Sequence, residues 1–149
     1  KESIVFDMMI HDFDLAGKLG KTTVEDIRAY GKKKKSDTLD EVLATLYFKD
    51  GMIAKVDASR LRDFKKRMVT VTTDRGIYEA DLLNKKLFVR SFEDMTIKEE
   101  VELKVEDQLK SELRSFVLSV QKDREPELSF EQATKALKIA EEVERIACS

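Results

Sequence analysis

One cysteine, one histidine, one proline and five glycines are all that 149 residues hold of the types that most often build disulfide, metal and nucleotide sites. The single cysteine, Cys148, excludes an internal disulfide framework and a cysteine-built metal site. It leaves the cytosol as the default compartment. One histidine among scattered carboxylates is a poor metal site, so no metal ligands are expected. Gly17, Gly20, Gly31, Gly51 and Gly76 never fall into G-x-G-x-x-G or a P-loop. No phosphate-cradling turn is therefore predicted, and no cofactor-binding residues. No apolar run approaches the ~20 residues that cross a bilayer. No charged-then-apolar leader opens the chain, so no export signal is expected. Charge of one sign is lacking too: 28 basic residues stand against 30 acidic ones. That balance argues against a nucleic-acid binder and gives no reason to expect a membrane surface as partner.

What is present reads as one domain in length, residues 1–149, with a core that covers roughly 70% of the unfolded surface. Phe6, Met9, Ile10, Phe13, Ala16 and Leu19 recur at helical spacing, so the pattern predicts a helix over 6–19 that Gly20 ends. From Val24 the texture changes to strands. Segments 39–48 and 52–59 flank Asp50-Gly51, a two-residue hairpin signal. Segments 67–73 and 77–82 flank a turn at Asp74-Arg75-Gly76, and Asn84 marks a turn before 86–92. Segment 97–105 alternates, with Ile97, Val101, Leu103 and Val105 on one side and charges on the other, which predicts a strand with one wet face.

Two helices are expected to close the chain. Leu109, Leu113, Phe116, Val117 and Val120 form the stripe of the first. Pro126 breaks the path, and Ser129 with Gln132 is a capping-box start. Ala133, Ala136, Leu137, Ala140, Val143 and Ala147 give the last helix a narrow, small-residue face. Strands joined by short turns are antiparallel neighbours. The predicted fold is thus α+β, an open, mainly antiparallel sheet with helices packed on one face. Leu43, Tyr47, Ile53, Val69 and Val71 are assigned to its outer face, where they predict a homo-oligomer built sheet to sheet. A one-residue slip would swap the faces.

One constellation has chemical potential. Asp7 lies four residues before His11, so the two share a helix face, opposite the apolar stripe. A carboxylate beside an imidazole fixes its tautomer and suits proton transfer to or from a hydroxyl. The same spacing fits a surface histidine on an ordinary amphipathic helix. Arg60, Arg62, Lys65, Lys66 and Arg67 form a basic cluster between strands, fit for a substrate phosphate or for solvent. Lys32 to Lys35 reads as a solvated strand end.

The string DMMIHDFDLAGKL at 7–19 resembles the D-x-x-x-H-D-x-D segment of the glucose–fructose oxidoreductase / inositol dehydrogenase family, written Gfo/Idh/MocA. In order along the chain, VLATLYFKDGMI at 42–53 resembles that family's hairpin, and KKRMVTVTTDRGIYEADLL at 65–83 resembles its next strands. Segment 107–147, with Glu125-Pro126 and Ser129 before Ala133, resembles its closing helices. The resemblance implies a glyceraldehyde-3-phosphate dehydrogenase-like C-terminal domain that follows a Rossmann domain. It implies oxidation of a hydroxyl on a sugar, inositol or nucleotide sugar, with hydride passing to NAD or NADP. His11 and Asp7 then fall on the family's catalytic positions; Asp12 and Asp14 match the motif with lesser roles, Asp14 as a bond to backbone or to substrate. The family's catalytic lysine and glycine loop have no counterpart here and belong upstream of Lys1. The cofactor would be held mainly by that half, with none bound by this chain. Segment 59–67, SRLRDFKKR, is similar to relatives acting on nucleotide sugars, which makes Arg60, Lys65 and Arg67 candidates for a diphosphate. A non-catalytic oligomerisation or ligand-binding module of the same fold is the alternative.

Overall fold

A computed structural model describes residues 2–94, 98–102, 108–122 and 130–149. The chain divides into two compact units: Lys1–Arg62 with Asp123–Ser149, and Asp63–Lys122. Each has its own antiparallel sheet.

In the first unit a helix runs from Ile4 to Leu19, in two parts. Val5–Met9 is a π-turn, one residue wider than an α-turn, and α1 (Ile10–Leu19) continues it. The widening explains why the buried face differs from the expected stripe. Ile4, Val5 and Met9 are all fully buried, as are Phe13 and, nearly so, Ala16. A five-residue step from Ile4 to Met9 stays on one side only where the helix is wound i to i+5. Phe6 and Ile10 are half-buried instead, and Leu19 is exposed.

Strands β1 (Val24–Lys32), β2 (Glu41–Phe48) and β3 (Ile53–Ser59) pair antiparallel in that order. The β2–β3 hairpin turns at Asp50-Gly51, where Gly51 has φ +87°. An L side chain rarely adopts that conformation, so glycine is required. The Asp50 carboxylate accepts the N–H of Met52 and of Lys21, which holds its pKa below the usual carboxylate range. Along β2, Val42, Ala44, Leu46 and Phe48 face inward and are buried. They meet α1 residues on the same face as α3 (Phe130–Ala147), which packs on α1 and β1 through Ala136, Ala140 and Val143. Gly31 of β1 permits that approach: a Cβ there would come within 2.7 Å of Leu39 Cδ2 and 3.0 Å of Ala147. The opposite face is open, with Tyr30 paired to Leu43 and Tyr47 to Ile53. Tyr30 is 75% exposed and Ile53 57%.

The connection from β1 to β2 is gathered by one side chain. Asp40 is 1% exposed. Its Oδ2 accepts the backbone N–H of Lys34, Lys35 and Ser36 at 2.8, 2.6 and 3.1 Å, and its Oδ1 accepts the Ser36 hydroxyl. The lysine run is thus a loop wrapped on a carboxylate, with Lys33, Lys34 and Lys35 exposed. These hydrogen bonds, led by that from Lys35, hold the Asp40 pKa far below its ordinary value. A depressed carboxylate pKa adds stability above the unfolded value near pH 4, and that stability fades as pH falls toward the folded value. Asp40→Asn should therefore lower Tm by roughly 5–10 °C at pH 7. The gap should narrow below about pH 4. Thermal melts at pH 7 and pH 3 check this; a gap that does not change with pH would refute the charge argument.

In the second unit β4 (Met68–Thr72), β5 (Gly76–Asp81), β6 (Lys86–Ser91) and β7 (Glu99–Val101) form an antiparallel meander. Val69 and Val71 therefore do not extend the open face of the first sheet, as the sequence pattern suggested. They belong to a separate sheet and are half-buried, while Met68, Thr70 and Thr72 on its other face are exposed. Of the strand expected over 97–105, Glu99–Val101 is formed, and residues 97 and 103–105 lie outside the described residues. Helix α2 (Gln108–Gln121) carries its stripe in the open, with Leu113, Phe116 and Val117 exposed. The side chains of Leu109 and Val120 are outside the described set, as are Glu125, Pro126 and Ser129.

The α+β class and the antiparallel pairing match the expected fold. The division into two sheets was not legible in the pattern. Among the described residues, no helix is long and apolar enough to cross a membrane.

Candidate active site

Asp7 sits in the middle of the π-turn and His11 at the second position of α1. Both are exposed. The sequence pattern makes them neighbours on one helix face, and both do lie on the helix's solvent side. The expected carboxylate–imidazole contact is not what occupies Asp7, however. Its Oδ2 accepts a hydrogen bond from Arg60 Nη2 at 2.6 Å. A guanidinium is a stronger, permanently charged donor, and it out-competes an imidazole for the same oxygen.

Arg60 follows β3 directly. Its side chain is 12% exposed against 53% for Asp7. Its Nη1 donates to the Glu2 carbonyl at 2.8 Å. Its own backbone N–H donates to the Asp40 carbonyl at 2.9 Å. Sequence reading placed Arg60 in a basic cluster and gave no signal for this pairing, because the partners are 53 residues apart. The helix entry is fixed from other sides as well. The Ser3 hydroxyl donates to Glu144 of α3, and the Ile4 N–H donates to the Leu39 carbonyl at 3.1 Å. Neither Ser3 nor Glu144 stood out in the sequence, since only tertiary packing brings them together.

Asp14, one turn beyond His11, is half-buried and paired with Lys18 at 2.8 Å. The basic cluster does not act as one group. Arg62 is paired with Asp57 at 2.6 Å, and that carboxylate raises the Arg62 pKa. Lys65 and Arg67 belong to the second unit and are exposed there. Near them Glu79 is held below the usual carboxylate range by Lys98, with smaller contributions from Arg90 and Lys66.

An exposed imidazole beside an oriented carboxylate can accept or give one proton at a bound hydroxyl. The five glycines lie within α1, just after it, in β1, in the β2–β3 turn and at the start of β5, and none opens a helix after a strand. Among the described residues no group of three His, Cys, Asp or Glu side chains could hold a metal ion.

A family model described as the GFO/IDH/MocA C-terminal domain matches residues 1–79. The UDP-N-acetylglucosamine 3-dehydrogenase of Acidithiobacillus ferrooxidans is 30% identical over 125 residues, covering 78% of this chain and 40% of that protein. Its solved structure superposes with a TM-score of 0.90 at 25% identity, covering 97% of this chain and 46% of the other. An aldose-aldose oxidoreductase from Caulobacter crescentus, solved with glycerol, gives a TM-score of 0.80 at 17% identity over 93% of this chain and 43% of its own. The WlbA dehydrogenase of Bordetella pertussis, solved with NADH and UDP-GlcNAcA, gives 0.73 at 15% identity over 99% of this chain and 43% of its own. These relatives are oxidoreductases, and the chain spans less than half the length of each.

Proposed function

Because the chain belongs to the GFO/IDH/MocA family, we propose that it is the substrate-side domain of an NAD(P)-dependent oxidoreductase acting on a sugar-type hydroxyl. The observation that carries this reading is Asp7 and His11 on the open side of one helix, with Asp7 fixed by a largely buried arginine. In this role His11 takes the proton from the substrate hydroxyl during oxidation and returns it during reduction. Asp7 orients the substrate and supplies negative charge beside a histidine that becomes cationic. Asp14 is the further candidate for a substrate contact. Among the described residues no glycine opens a helix after a strand to cradle NAD or NADP, and we assign that chemistry to a Rossmann domain elsewhere in the protein. No step on this chain runs through the cofactor, and by itself the chain is inactive.

A nucleotide sugar is the substrate class we favour. The feature that supports it is that the 30% identical relative is named for a UDP-sugar. Arg60 has both terminal nitrogens engaged and reaches substrate only through Asp7. The open face of the first sheet, with Tyr30, Leu43 and Ile53 exposed, supports a homo-oligomer joined through that face. The cytosol remains the compartment that the lone cysteine favours.

The substrate class is tested by comparing kcat/KM of the full-length enzyme on a UDP-linked sugar and on the same sugar free. At least a tenfold preference for the linked form is expected, since losing one charge-assisted contact is worth about 1.5–3 kcal/mol. Equal values on both would remove the nucleotide from the reading.

A further inference from the structure

We propose that Arg60 is a positioning residue: it clamps the Asp7 carboxylate to the entry of the helix and so sets the geometry in which His11 works. The inference rests on the acid/base reading of Asp7 and His11.

The geometry is that of a two-ended clamp. One terminal nitrogen of Arg60 holds Asp7 Oδ2 at 2.6 Å, and the other holds the Glu2 carbonyl at 2.8 Å, five residues earlier. These two acceptors bracket the first part of the π-turn, Val5–Met9. The clamp's base is itself tied down, because the Arg60 N–H donates to the carbonyl of Asp40, whose carboxylate organises the preceding loop. Exposure points the same way. The guanidinium is mostly covered, whereas Asp7 keeps about half of its side-chain surface open. A cation that reached for substrate itself would show the reverse pattern.

Arg60 ties Asp7 to the residues that open the helix, across the start of the π-turn. One extra residue in a turn rotates the residues before it by about 100° relative to those after it. Asp7 lies in that turn and His11 just beyond it. Arg60 fixes the Asp7 side chain with two hydrogen bonds at fixed separation. Lysine, with one compact ammonium, holds two such acceptors poorly.

A clamp of this kind acts on the transition state more than on binding. In the full-length enzyme, Arg60→Met should lower kcat by about 10–100-fold, with KM for the sugar changed less than about threefold. Arg60→Lys should fall between the two. Made in an Asp7→Asn background, Arg60→Met should cost less than about threefold more, because the loss runs through the same carboxylate. Guanidinium ion added to Arg60→Ala should restore part of kcat, which a purely structural role would not allow.

Full additivity of the two losses would overturn the proposal. So would an Arg60→Met kcat within twofold of wild type while His11→Ala is severely impaired; the acid/base reading would then survive alone. A His11→Ala enzyme within threefold of wild type would remove that reading and the proposal with it. Should Arg60→Met fail to fold, Arg60→Lys and guanidinium rescue of Arg60→Ala decide the matter. Wild-type kcat in the lysine variant, or no rescue of the alanine variant, counts against the clamp.

Discussion

His11→Ala in the full-length enzyme is expected to lower turnover by about 10²–10⁴, the range for a lost general acid/base group. The cause is specific. Removing a hydroxyl's hydrogens as hydride and proton needs somewhere for the proton to go. The only imidazole in the chain sits on the open side of a rigid helix. Its neighbour on that face, Asp7, is held by Arg60. The substitution should leave the fold intact, because His11 is exposed while the residues that bury the helix are Ile4, Val5, Met9 and Phe13. Steady-state kinetics with NADH affinity measured alongside is the check. A drop below threefold would return His11 to an ordinary surface histidine. A large drop together with lost NADH binding would point to a folding defect instead.

Much of this was legible in the sequence because it is local. The β2–β3 hairpin followed from Asp50-Gly51, where a left-handed residue is needed and glycine supplies it. The alternation in β2 chose its buried face by itself, since Val42, Ala44, Leu46 and Phe48 could not all face water. The first helix is placed correctly by its pattern but phased imperfectly. A π-turn changes the period for one turn, and an ordinary helical template cannot see it, so the pattern omits Ile4 and Val5 from the core and includes Leu19. What depended on distant residues was not legible. The tie from Ser3 to Glu144 spans 141 positions. The Arg60–Asp7 pair spans 53, and in the sequence Arg60 looks like one more cation of a basic run. The separation of β4–β7 from β1–β3 has the same origin: short turns report which strands are neighbours, not where one sheet ends.

Resemblance and geometry also contribute different things. The role proposed for His11 rests on the motif at 7–19 and not on its spacing alone. In the structure Arg60 pairs with Asp7 and Asp14 with Lys18. Lys65 and Arg67 stay candidates on exposure and charge.

The largest effect expected of any comparison is all-or-none, and it tests the central claim directly. The chain spans about 40% of the UDP-N-acetylglucosamine 3-dehydrogenase it matches, and its glycines build no nucleotide cradle. In the proposed function the residues of this chain move the proton and the hydride goes to a cofactor held elsewhere. The measurement is absorbance at the reduced-nicotinamide band after UDP-sugar is mixed with NAD or NADP, made once with the full-length protein and once with residues 1–149 alone. A steady rise is expected with the full-length protein and none with residues 1–149. No rise with the full-length protein on any sugar, free or nucleotide-linked, or a rise with residues 1–149 alone, would contradict it.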